Sequence, residues 1–134
     1  MKQECTENSD KKIIVFQENR SKLIIHNKSQ IQTSKVAVDG CEITKGLRCD
    51  YMLLGEGLEY FIELKGQDIK HAIKQLETTI NKLSSDSKNM DKTSFVICTR
   101  SPISSASIQN LQVKFKKNFS SKLIIRSTPF THIL

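Results

Sequence analysis

The chain has 134 residues, with 21 Lys and Arg against 14 Asp and Glu and a formal net charge of +7. That length suits one domain with one core. No stretch approaches the about 20 apolar residues that span a bilayer, and the polar start lacks the apolar run of a secretory signal, so a soluble, cytoplasmic chain without a membrane partner is expected. The positive balance favours an anionic partner, of which nucleic acid is the commonest for such a chain.

Cysteines stand at 5, 41, 49 and 98 with no Cys-x-x-Cys pair. Cys41 and Cys49 could join His26 or His71 around a metal, but this uneven spacing reads more simply as four buried, reduced thiols.

Residues 1–11 are polar, mixed in charge and without periodicity, and are expected to be loosely ordered. Residues 13–16, 23–26 and 30–38 are rich in β-branched side chains and read as one short element of either type and two strands. Asp39-Gly40 and Lys45-Gly46 punctuate the chain as turns. Residues 47–54 (LRCDYMLL) and 58–65 (LEYFIELK) then read as the two strands of a β-hairpin about the Gly55-Glu56-Gly57 turn.

After Gly66 the period changes. Ile69, Ala72, Ile73, Leu76, Ile80 and Leu83 recur at three and four residues, which predicts an amphipathic helix N-capped by Asp68 and running to about residue 85. Residues 93–99 (TSFVICT) read as a buried parallel strand, 104–119 as a second helix ending among lysines, and 123–126 as a last strand. The order implies an α/β domain with a mixed central sheet flanked by helices.

Alternation sends Phe61, Glu63 and Lys65 to one face of their strand, with Glu63 and Lys65 about 7 Å apart. A two-residue Glu56-Gly57 turn would pair Gly55 with Leu58 and set Asp50 opposite Glu63. A lone Glu-x-Lys is ordinarily a solvated strand face. Two facing carboxylates inside apolar runs are instead costly unless a cation lies between them. Mg²⁺ needs only one or two carboxylates and keeps several waters, so Asp50 and Glu63 suffice for it. Lys65 is placed to assist a water or to neutralise a phosphate.

Asp50, a turn, then Glu63-Leu64-Lys65 followed at once by a helix resembles the PD-(D/E)xK nuclease superfamily. The resemblance covers residues 47–83 and implies a restriction-endonuclease-like core. In that core the Asp lies on the second strand, the Glu-x-Lys on the third, and a helix packs across both. It further implies metal-dependent hydrolysis of DNA or RNA with Mg²⁺ or Mn²⁺, by Asp50, Glu63 and Lys65, with Gln75 on the following helix as a further site residue. Cys49 stands where the motif has Pro. The family's first core helix donates a Glu, for which Glu18 is the first candidate and Glu42 the second.

Lys70, His71 and Lys74 in the first half of the helix, and Arg48 before the hairpin, are candidate phosphate contacts. DNA is preferred over RNA because aromatic residues that would stack single-stranded bases are sparse. So small a domain has little surface for base readout, which points to a homodimer or a subunit of a larger complex. The alternative function is a non-catalytic binding module of nuclease-like fold, acting as a subunit, an inhibitor or an immunity protein.

Overall fold

A computed structural model describes residues 1–64, 68–100 and 104–134. Among them the chain forms β1 (Thr6–Ser9), β2 (Ile13–Glu18), β3 (Ser21–His26), β4 (Thr33–Ala37), β5 (Tyr51–Gly55) and β6 (Leu58–Glu63). There follow α1 (Ile69–Leu83), β7 (Lys92–Cys98), α2 (Ser105–Phe119), β8 (Ser121–Ser127) and β9 (Phe130–Ile133).

Six strands make a mixed sheet in the order β1-β4-β5-β6-β7-β8. The meander β4-β5-β6 is antiparallel, with residues 38–50 joining β4 to β5 and a two-residue turn joining β5 to β6, whereas β6, β7 and β8 are parallel because α1 and α2 carry the chain back between them. The hairpin turn is the expected Glu56-Gly57, with Gly55 paired to Leu58 and Gly57 at φ +66, a left-handed conformation that glycine adopts without strain.

A mixed sheet is thus present, but helices cover only one of its faces. On that face Met52, Phe61, Val96, Leu123 and Ile125 pack against Ile73, Leu76 and Ile80 of α1 and Phe115 and Phe119 of α2. A second, three-stranded sheet, β2-β3-β9, covers the other face. Its Ile14, Phe16, Leu23 and Ile25 meet Leu53, Tyr60, Ile62, Phe95 and Ile97. The cause is local. Ile14 and Phe16 of β2 and Ser21, Leu23 and Ile25 of β3 are buried at every second position, a period that a strand pair turns to one face.

Three further expectations are corrected. The first eleven residues are ordered, not loose: β1 pairs with β4, the Lys2 backbone N–H donates to Glu42 at 2.8 Å, and Cys5 is disulfide-bonded to Cys41. Two of the four cysteines are therefore not reduced thiols, while Cys49 and Cys98 are, and both are buried. The strand expected from residue 30 begins at Thr33, because Gln30 has φ 49 and the Asn27 side chain bonds both backbone groups of Ile31.

β9 was not expected. It runs parallel to β3 and is tied to the central sheet by His132, whose Nε2 lies 3.1 Å from the Tyr60 hydroxyl and whose ring meets Tyr60 and Phe95 edge-on at 5.4 and 5.1 Å. Burial, reinforced by the charge of Lys122, holds the imidazole pKa below its usual 6.5. A group whose pKa is depressed by folding stabilises the fold above its unfolded value and loses that contribution as pH falls through the folded one. The melting temperature should therefore fall as pH drops from 7.5 towards 5, and His132→Phe should flatten that slope. Parallel slopes for wild type and variant in scanning calorimetry would show that His132 is not the group responsible.

Candidate metal centre

Asp50 directly precedes β5, where the pairing with β6 ends. The last ladder pair is Tyr51 with Ile62. One residue further the Asp50 N–H donates to the Ile62 carbonyl at 3.0 Å, and Asp50 Oδ2 accepts from the Leu64 N–H at 2.8 Å. The expected opposition of Asp50 and Glu63 thus takes the form of a bracket, with Asp50 gripping the chain on either side of Glu63. Both are buried, at 4% and 1% exposure. Lys65 lies outside the described residues.

The Asp50 carbonyl accepts from the N–H groups of Val38 and Asp39 at 3.0 and 3.3 Å, which draws Asp39 alongside. Glu18 approaches from the other layer. It ends β2 on the face of Ile14 and Phe16, just before a turn in which Asn19 has φ 51. Glu18, Asp39 and Asp50 consequently each place one carboxylate oxygen within 4.8 Å of the others. Glu63 is not a member of that group, and Glu42, the second candidate for the additional acid, is engaged at the amino terminus by Lys2.

Arg48 Nε pairs with Asp39 Oδ1 at 2.7 Å, and the same guanidinium donates to the Gly46 carbonyl at 2.8 Å. Among the described residues Arg48 is the cation paired with this group of three carboxylates. The field is felt nearby. Burial first, then the charges of Glu18, Asp50 and Asp39, raise the pKa of the Tyr51 phenol. Burial also pushes the Cys49 thiol up to about 12, with Glu63 and Asp50 adding to the rise.

Helix α1 sets the approach to Asp50. Gln75 Nε2 donates to the Arg48 carbonyl at 3.0 Å, and the Thr79 hydroxyl accepts from the Cys49 N–H and donates to the Gln75 carbonyl, each at 2.8 Å. Gln75 and Thr79 therefore position the backbone that delivers Asp50. Lys70, His71 and Lys74 are exposed on the first turns of α1, with the His71 N–H bonded to the Asp68 cap. Arg48, expected to meet phosphate, is paired with Asp39 in this structure.

Asp39 is the residue that sequence reasoning missed. Asp39-Gly40 reads as a turn, and only the pairing of Ala37 with Tyr51 brings residues 38 and 39 beside residue 50. Three carboxylates converging with hard oxygen donors fit Mg²⁺ or Mn²⁺ in donor type and charge. No family model matches the sequence, and no curated protein and no solved structure matches the chain. Among the described residues no helix is long and apolar enough to cross a membrane.

Proposed function

We propose that this protein is a metal-dependent nuclease with a restriction-endonuclease-like core that hydrolyses phosphodiester bonds of DNA. The observation that carries the reading is the position of Asp50, buried at the head of the middle meander strand, bracketing Glu63 and gathering Glu18 and Asp39 around one point. The order of elements supports it. β4, β5 and β6 supply the three meander strands, Asp50 precedes the second, Glu63 ends the third, and α1 follows and packs across them.

In this reading Asp50, Glu18 and Asp39 hold the ion, with Glu63 beside them. When bound, a divalent ion lowers the pKa of a water and stabilises charge on the phosphate oxygens. Water attacks phosphorus in line and gives up a proton to solvent, the P–O bond to the sugar oxygen breaks and that oxygen takes up a proton from solvent, and Lys65 offsets the charge that builds on the phosphate. Gln75 keeps the Arg48 and Cys49 backbone in place. Duplex cutting by a domain with one such site calls for a second copy or a partner subunit.

A second reading draws on a different observation. The Asp50 carboxylate already accepts from Leu64, Arg48 already occupies Asp39, and Asp50 and Glu63 are almost fully enclosed. Carboxylates engaged and enclosed in this way fit a non-catalytic binding module in which they serve the fold and take up no ion. Incubating plasmid and short labelled DNA and RNA with purified protein in Mn²⁺, Mg²⁺ or chelator separates the two. The nuclease reading expects cleavage of DNA with metal alone. No cleavage of any substrate, together with a melting temperature that metal does not raise, would leave the binding module.

A further inference from the structure

Helix α2 shows solvent a composition that a merely solvated face does not explain. Of its 15 residues only Phe115 and Phe119 are buried, and it carries three lysines and no acidic residue. At 3.6 residues per turn Ala106, Gln109, Asn110, Val113 and Lys117 fall on the side opposite Phe115, flanked by Lys114. All six are exposed, and Val113, at 69%, is the most exposed large apolar side chain among the described residues. A helix face kept for solvent commonly mixes both signs of charge and leaves out such an apolar centre.

The helix is also firmly held from behind. Its C-terminal carbonyl at Phe119 accepts from the buried Lys92 Nζ at 2.9 Å, Ser120 closes it in a left-handed cap at φ 52, and Gln112 Nε2 donates to the Leu123 carbonyl at 3.0 Å. The outer face is thus presented on a rigid element, as a surface that reads a partner must be.

We propose that α2 enters the major groove of duplex DNA and reads its bases. The groove is about 12 Å wide and admits one α-helix. Asn and Gln amides there match the paired acceptor and donor of adenine, and small apolar groups such as those of Ala106 and Val113 meet the thymine methyl. Lys114 at the flank and Lys117 at the C-terminal end of the face reach phosphates, which position the helix without selecting sequence. The deep, narrow major groove of A-form RNA would exclude the same helix. The inference rests on the preceding reading only for DNA as the partner, and not on cleavage.

The test is fluorescence anisotropy in chelator, using labelled duplexes selected by the wild-type protein from a random-sequence library. Lys114→Gln with Lys117→Gln should weaken binding to all duplexes at least about tenfold and lower the slope of log affinity against log salt by about two. Gln109→Ala with Asn110→Ala should remove about tenfold of the preference for the selected over the scrambled sequence. These side chains are exposed, so thermal melts should match wild type. A selection that yields no preferred sequence, variants that bind as wild type does, or duplex RNA that competes equally with DNA would each overturn the role of α2. Metal-dependent cleavage persisting in those cases leaves the nuclease standing, whereas sequence-selective binding through α2 without cleavage removes the nuclease and keeps the groove-reading helix. If wild type neither binds nor cuts DNA, both fall.

Discussion

Asp50→Asn should lower metal-dependent DNA cleavage by at least about a hundredfold while leaving the protein folded. The argument turns on the two tasks of this side chain. Its Oδ2 accepts from the Leu64 N–H, which an Asn carbonyl oxygen can also do, whereas its charge completes the group with Glu18 and Asp39, which Asn cannot replace. Ligand changes at such centres cost more than the about 10- to 100-fold seen for groups one shell further out. In chelator the variant should melt no lower than wild type, since one of three mutually repelling carboxylates is gone. Mg²⁺ should then raise the melting temperature of wild type and not of Asp50→Asn, because an ion stabilises only the form that binds it. Asp50→Ala is the contrasting variant. It also loses the bond to Leu64 and should be less stable by about 1–3 kcal/mol, the cost of leaving a buried donor unpaired. Equal cleavage by wild type and Asp50→Asn would end the assignment of Asp50 as a metal ligand.

Reduction of the disulfide between Cys5 and Cys41 should destabilise the fold by about 4 kcal/mol, from the loop-closure entropy of two cysteines 36 residues apart. That is a large share of the roughly 5–15 kcal/mol that holds a typical domain together. Its structural effect should concentrate on the amino-terminal segment and the loop that follows β4, where Lys2 bonds Glu42 and the Cys41 carbonyl and where Asp39 begins its path to the metal centre. Cys49 and Cys98 should not reshuffle the bond. Burial raises their pKa values to about 12 and about 11, so even the latter is only ~10⁻⁴ thiolate at neutral pH, and neither is exposed to attack. Urea denaturation with and without dithiothreitol measures the difference, with Cys5→Ser as the check that the reductant acts on this bond. A shift below about 1 kcal/mol would mean that β1 and the Lys2 contacts alone hold the segment. The bond also bears on location, because an oxidising compartment preserves such a pair and the cytoplasm expected from the sequence tends to reduce it.

The sequence by itself determined what short-range periodicity and turn chemistry control. Apolar runs on either side of Glu56-Gly57 specify β5 and β6, and the two-residue turn sets their register, so Asp50 and Glu63 are legible as neighbours in the sequence itself. Apolar side chains at three- and four-residue intervals specify α1, and the Asp68 cap fixes its start. For α2 the sequence leaves the cap among three serines, and the structure places it at Ser104. Only the tertiary structure decided what depends on contacts between distant residues. The pairing of Cys5 with Cys41 and of β1 with β4, and the docking of β9 on β3, leave no periodic signal in their own short segments. The same holds for the metal centre. Glu18, Asp39 and Asp50 come from a hairpin end, a turn and a strand start in two different layers. Their oxygens meet because packing of the small sheet on the large one brings those ends together, and spacing along the chain carries no trace of that distance.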